Sequence, residues 1–375
     1  MAQINRLEFL DSLRGFIILL VVVLHASAVY MKMPPQWWYV VDPQKSLFFT
    51  FVSILLSVPL MAPMFFIAGY FALKSLQKNG VHHYLKNKLI RIGAPWAFGA
   101  LILAPMAGYF IHFSRGNPME FFHFVLYEHW VNSYQQSVYW FLGILLLFFL
   151  CLTLTFKFSV SLRQAKPQTK KPTPIFFIGF LATCITSMLV VNQYVSLTSW
   201  YTDLYIIMFQ PVKLPLYAAY FCLGIYAYLN NWYPLKTETL KLQYHFIFWV
   251  MTASLYALYS IKLLPIPAGN ELVSKAAKII FFNLYCFSSL MFGVALFQKK
   301  VNTKSSFWQA ISKTSYGIYF IHIIVLCPVT YLLLYTTMPL AIKASLAIGL
   351  TGLISWTITH FILNKAPYSR LAFAP

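Results

Sequence analysis

The chain has 375 residues, 60% of them hydrophobic and 10% charged, with a mean hydropathy of +0.68. Soluble domains carry about a quarter charged residues, so this composition excludes a soluble globular enzyme and places the chain in a membrane. A net charge of +20 would suggest nucleic acid in a soluble protein. Here the basic residues sit in short connections between apolar runs, which is a topology signal, and no nucleic-acid partner is expected.

Runs close to the roughly 20 apolar residues needed to cross a hydrocarbon core fall at about 13–31, 47–73, 95–113, 138–156, 175–193, 212–230, 244–263, 276–297, 315–335 and 342–363. They predict an all-α polytopic bundle of about ten transmembrane helices in a lipid bilayer. Most of the 28 Lys and Arg fall on the side of the two termini, at Arg6, Arg14, segments 74–94, 157–174 and 298–313, Lys236, Lys241, Lys365 and Arg370. The bias toward the cytoplasmic side therefore gives an N-in, C-in orientation. Acidic residues lean the other way, with Asp42, Glu120, Glu128, Asp203 and Glu271 in or beside outer connections.

The first run opens with a stretch that imitates a secretory signal, ending in Ala26-Ser27-Ala28. Glu8, Asp11 and Arg14 crowd the would-be basic region, so the run is expected to stay as a helix. On that helix Arg14 and His25 are eleven residues apart, which at 100° per residue puts them within about 20° of one direction and roughly 16 Å apart in height. Asp11 lies one turn below Arg14. Ionisable groups inside a membrane are rare and face a bundle interior or a wet cavity. Asp11 and Arg14 also suit a plain interfacial ion pair. His25 sits near mid-bilayer, where an imidazole can accept and return a proton near neutral pH.

Farther on, the outer connection 114–137 collects Glu120, His123, Glu128, His129, Trp130 and Tyr134. Carboxylates and aromatic faces of this kind suit a polyhydroxylic ligand, and equally suit ordinary loop polarity and interfacial anchoring. The basic, proline-bearing segment at about 157–174 reads as an inner linker within a single membrane unit spanning 1–375. The cysteines, Cys151, Cys184, Cys222, Cys286 and Cys327, lie in apolar runs with no CxxC pair, so neither a disulfide framework nor a metal site is expected. In the ninth run His322 lies about 13 Å above the inner end, at a depth like that of His25. The two could share a cavity, or His322 could cap a buried hydroxyl such as that of Tyr316 or Tyr319.

The run Leu10-Asp11-Ser12-Leu13-Arg14-Gly15, with ten residues between Arg14 and His25, resembles the signature of the acyltransferase-3 family of membrane acyltransferases. MFFIAGYFALKS (64–75), KNKLIRIGAPW (86–96), VYWFLGILLLF (138–148), LPLYAAYFCLGIYAY (214–228) and SYGIYFIH (315–322) extend the likeness in order over roughly residues 5–365. The stretch QPVKLPLY (210–217) is most similar to the glucan-biosynthesis protein C type. The resemblance implies transfer of an acyl group, acetyl or succinyl, from a cytoplasmic acyl-CoA to a hydroxyl of an extracytoplasmic glycan or other envelope acceptor, in a bacterial inner membrane.

By the same resemblance His25 leads the catalytic set with Arg14, and Asp11 and His322 accompany them. Arg91, Lys86, Lys88 and Lys74 become cationic partners for coenzyme A phosphates. Glu120, Glu128 and Trp140 become acceptor contacts. Acyl-CoA enters as co-substrate, with no bound cofactor expected. The competing reading is a transporter or flippase lined by the same Arg and His.

Overall fold

The computed structural model describes residues 7–117, 119–202, 205–233, 242–261, 271–301, 305–367 and 369–373, with only the backbone of Glu271. Arg6, Asp203, Lys236 and Lys241 of the topology reading lie outside the described residues. Every apolar run carries a helix, and no strand occurs among the described residues. Seven helical stretches there are long and apolar enough to cross a membrane; one of them, Leu47–Phe113, holds two of the apolar runs, while Leu214–Leu229 is apolar but shorter. The chain is an all-α polytopic bundle.

The helices are α1 (Glu8–Ala28), α2 (Leu47–Leu56), α3 (Met61–Lys88), α4 (Ala94–Phe98), α5 (Ala104–Phe113), α6 (Trp140–Phe158), α7 (Pro174–Asn192), α8 (Leu214–Leu229), α9 (Leu242–Ser260), α10 (Glu271–Lys300), α11 (Ser306–Leu334) and α12 (Leu340–Ile358). Side-chain caps start two of them: Ser46 accepts from Phe48 N–H at α2 and Thr173 from Phe176 N–H at α7, where Pro174 fits the first helical position. α1 is the centre, packed against α2, α3, α10, α11 and α12. α7 and α12 stand at the periphery with most of their surface open.

Segment 74–94, expected as a connection, is instead largely helical. α3 runs to Lys88 and continues through π turns Leu89–Gly93 and Gly99–Leu103 as far as Phe113. The interruption lies at Gly80, whose φ of 71° belongs to the left-handed region that glycine enters without a Cβ penalty. One residue thus redirects the chain, and apolar periodicity does not register it.

Lipid tails are as apolar as leucine side chains, so helices associate in membranes through close packing and polar contacts rather than the hydrophobic effect. α3 and α8 do this backbone to backbone. A Cβ on Gly69 would overlap the Phe221 carbonyl oxygen, and one on Gly224 would overlap that of Phe66. α1 and α11 run side by side in the same direction, with Gly15 against Ile311, where an added Cβ would stand 2.9 Å from Ile311 Cγ2, and with His25 opposite His322.

At the distal end, where α1 finishes, the connections are tied to one another. Ser114 and Arg115 donate to the carbonyls of Tyr39, Gln36 and Trp38, and Tyr39 donates its hydroxyl to Ser137. Lys343 of α12 meets Asp42 at 3.2 Å with both side chains almost fully buried, and Asp42 also accepts from Gln44 N–H at 2.8 Å. Such a pair offsets its desolvation only when its remaining lone pairs are bonded, as here, and losing one partner leaves an uncompensated charge.

Gly224→Ala is expected to lower stability by about 1–3 kcal/mol through overpacking, read as a lower thermal midpoint in detergent. Gly352→Ala, with open space around the added methyl, is the control. Equal midpoints for the two variants would contradict the close crossing of α3 and α8.

Candidate active site

His25 and His322 are joined directly. His25 Nδ1 lies 2.8 Å from His322 Nε2, with the ring planes 7° apart and the centroids at 5.0 Å. His322 is fully buried and its Nδ1 lies 2.6 Å from the Tyr319 carbonyl oxygen, on the preceding turn of α11. Its partner is thus a backbone carbonyl, not a tyrosine hydroxyl. The hydroxyls of Tyr316 and Tyr319 donate elsewhere, to the carbonyls of Arg91 and Val138.

Proton placement follows from the chemistry of the acceptors. A carbonyl oxygen only accepts, so His322 Nδ1 carries a proton and donates it to Tyr319. In the neutral ring Nε2 then offers a lone pair, and Nδ1–H of His25 donates to it. His25 is left with its Nε2 lone pair, the form a general base needs. Trp38 packs over His25 from the distal side, with ring centroids at 5.5 Å. Arg115 holds Trp38 in place through the Trp38 carbonyl at 3.0 Å.

Below the pair, toward the proximal end where α1 begins, lies a cavity of about 410 Å³, within the ordinary range of small-molecule sites. Met64, Ile67, Ala68, Phe71 and Ser75 line it as one stripe of α3 at helical spacing. Arg14 and Asp11 enter from α1, with Arg14 Nη2 3.3 Å from Asp11 Oδ1. Lys88, Arg91 and Lys313 add positive charge, and the ammonium of Lys88 sits 4.0 Å from the centroid of the Phe149 ring. The cavity reaches up to Ile18, Phe141 and Tyr319. His25 and His322 do not line it; Tyr319, whose carbonyl receives the His322 proton, is a lining residue that connects it to the pair.

Of the cationic residues expected from sequence, the structure brings Arg14, Lys88 and Arg91 together in this cavity, and leaves Lys86 and Lys74 out of its lining. Lys86 is exposed because it lies two residues before Lys88, about 200° around the helix. Lys74 flanks the lining stripe, where Ser75 takes the inward position. Among the described residues, no hydrogen bond, ion pair or ring contact joins Glu120, Glu128 or Trp140 to the histidine pair. Glu120 is exposed, Glu128 receives the Asn132 amide on both oxygens at 3.0 Å, and Trp140 packs against Trp200 and Tyr217.

Sequence reasoning passed over Tyr84, Lys313 and Phe373 and named Tyr316 only as a candidate partner of His322; all four line the cavity. Phe373 comes from the short turn Ser369–Phe373 beyond the last apolar run and stacks on Tyr316 at 5.1 Å. Nothing in its local sequence marks it. Lys313 had a weak signal as a lone cation just ahead of SYGIYFIH.

Loop residue His129 is fully buried and neither ring nitrogen has a hydrogen-bond partner among the described residues. Burial lowers its pKa from the ordinary 6.5 to about 4. The folded chain therefore holds His129 neutral while the unfolded chain takes up a proton between those values. Stability from this residue is complete above about pH 6.5 and is lost as the pH falls toward 4, at up to about 1.4 kcal/mol per pH unit. Thermal midpoints from pH 7.5 to 5 are expected to fall more steeply for the wild type than for His129→Phe. Parallel profiles would contradict it.

A family model described as an acyltransferase domain, that of the acyltransferase-3 family, matches residues 7–360. Neither the curated proteins nor the solved structures compared with the chain yielded a match. The match runs from the start of α1 through the histidine pair and the cavity lining to the π turn after α12, nearly the full length, and so the chain belongs to the acyltransferase-3 family and is a membrane acyltransferase.

Proposed function

We propose that this protein is an O-acyltransferase of a bacterial inner membrane, moving an acetyl or succinyl group from cytoplasmic acyl-CoA to a hydroxyl of an extracytoplasmic glycan. A glucan acceptor is the narrower form of this reading, following the likeness of residues 210–217 to the glucan-biosynthesis protein C type. The observation that carries it is the bond between His25 and His322, which leaves the Nε2 lone pair of His25 available as a base, with a cation-lined cavity on the proximal side of the pair.

The donor enters from the proximal, cytoplasmic end. Arg14, Arg91, Lys88 and Lys313 meet the phosphates of coenzyme A, with the two guanidiniums suited to bidentate contacts. The thioester arm rises along Ile18, Phe141 and Tyr319 toward the histidines. The acceptor hydroxyl comes from the distal side, past Trp38, which packs over His25. His25 Nε2 takes the hydroxyl proton as the oxygen attacks the thioester carbonyl. The C–S bond breaks, the ester C–O bond remains, and the proton passes to the departing thiolate. His322 is a positioning residue that holds His25 in the productive tautomer.

A transporter would use broken helices at its substrate site. The left-handed break at Gly80 lies outside the cavity lining, and the family model that matches residues 7–360 describes an acyltransferase domain, so the enzyme reading is preferred.

With purified protein, acyl-CoA and a glucan acceptor, His25→Ala is expected to cut release of free CoA by about 10²–10⁴. Near wild-type release would remove His25 as the base. His322→Gln, whose amide oxygen can accept the His25 proton, should retain more turnover than His322→Phe, and equal losses would contradict tautomer control. Arg91→Ala should raise the apparent KM for acyl-CoA roughly 10–100-fold, as expected for losing a charge-assisted bond, with kcat largely kept. An unchanged KM would remove Arg91 from the donor site.

A further inference from the structure

A second cavity, of about 390 Å³, lies at the proximal end between the start of α11 and the end of α12. Lys313, Lys365 and His360 bring basic groups to it, and among the described residues no carboxylate lines it. Lys313 lines both this cavity and the first. One wall is Trp356, which stacks on His360 with the rings 12° apart and the centroids at 5.2 Å. The Lys365 ammonium lies 5.1 Å from the centroid of the Phe361 ring. Thr359–Leu363 is a π turn, which widens the end of α12, and such turns recur at functional sites.

Three features select the occupant. First, α12 is peripheral and mostly open along its length, so the cavity sits beside a helix that faces lipid. Its mouth is level with the end of the bundle where basic residues collect, the level of phospholipid headgroups. Second, the 29-residue helix α11 begins at this cavity, with Ser306 in the lining and no side-chain cap from Ser305, and the positive end of a helix dipole favours an anion. Third, Asn364 lines the cavity with a buried Oδ1 that has no hydrogen-bond partner among the described residues. An acceptor left in this way calls for a donor, which a bare phosphodiester lacks and a hydroxylated headgroup supplies.

We infer that this cavity binds the headgroup of an anionic, hydroxyl-bearing phospholipid, its phosphate between Lys313, Lys365 and the start of α11 and its hydroxyl on Asn364. Basic pockets between helices at the cytoplasmic face hold lipid headgroups in this manner, each cation near the surface contributing about 1 kcal/mol, or roughly fivefold in affinity. The site shares Lys313 with the donor cavity, its other lining residues are its own, and it does not depend on the nature of the acyl acceptor.

The full-length protein in neutral detergent is titrated with phosphatidylglycerol, with phosphatidylcholine, with inorganic phosphate and with adenosine 3′,5′-bisphosphate. Retained adducts are read by native mass spectrometry and stability by thermal midpoint. Phosphatidylglycerol is expected to be retained and to raise the midpoint by several degrees, and phosphatidylcholine to do neither. The double variant Lys365→Gln/His360→Gln should keep the lipid-free midpoint of the wild type and bind phosphatidylglycerol at least fivefold more weakly. Equal retention of the two lipids, or undiminished phosphatidylglycerol binding by the variant, would overturn the inference. A shift produced equally by inorganic phosphate or by the bisphosphate, and lost in the variant, would assign the cavity to a soluble phosphate and overturn the lipid assignment.

Discussion

The hydrogen bond between His25 and His322 is the contact on which the site depends, and a hydrocarbon surround explains why it forms. His322 is fully buried and His25 half-buried between helices, and an unsatisfied ring nitrogen at that depth is costly. The Tyr319 carbonyl takes one proton and His322 takes the other, so the chain of donors runs in a single direction and ends in a lone pair on His25. No carboxylate is needed to orient the base. A neutral dyad also spares the bilayer interior a permanent charge, which the usual Asp–His arrangement would bring.

Much of the remaining structure keeps α1 and α11 in the register that this bond requires. Gly15 lets the two helices approach near their proximal ends, ten residues before His25 and eleven before His322. Above the pair, Trp38 is set by Arg115, and the same connection is fixed by the buried pair of Asp42 with Lys343. Below it, the hydroxyl of Tyr316 on the Arg91 carbonyl ties α11 to the π turn that follows α3. Both faces of the dyad are therefore built by segments distant in sequence. The distal side is aromatic and closely tied, and the cation-lined cavity lies on the proximal side, the asymmetry on which the proposed placement of acceptor and donor rests.

The membrane class and nearly every helix were legible in the sequence because crossing a bilayer requires a long apolar run, a local property. Helical geometry likewise placed Arg14 and His25 on one face of α1 and put His322 at a matching depth. The direct contact between the two histidines was not legible, since it joins residues 297 apart and rests on the angle at which α1 meets α11. The pair of Asp42 and Lys343, 301 residues apart, was hidden for the same reason. Gly80 escaped notice because a backbone break leaves composition unchanged, and Phe373 because it reaches the cavity from beyond the last span. The cations of segment 74–94 were found as a group, yet the helical phase that separates Lys88 from Lys86 becomes visible only once that segment is known to be helical.

The most direct test of the proposed acyl transfer is the mass of envelope glycans from cells that make the wild-type protein or His25→Ala at equal membrane levels, fed with isotopically labelled acyl precursor. The expected result is a labelled acetyl or succinyl increment on a glycan hydroxyl with the wild type and its absence with the variant. An increment of equal abundance in both would contradict a mechanism centred on His25.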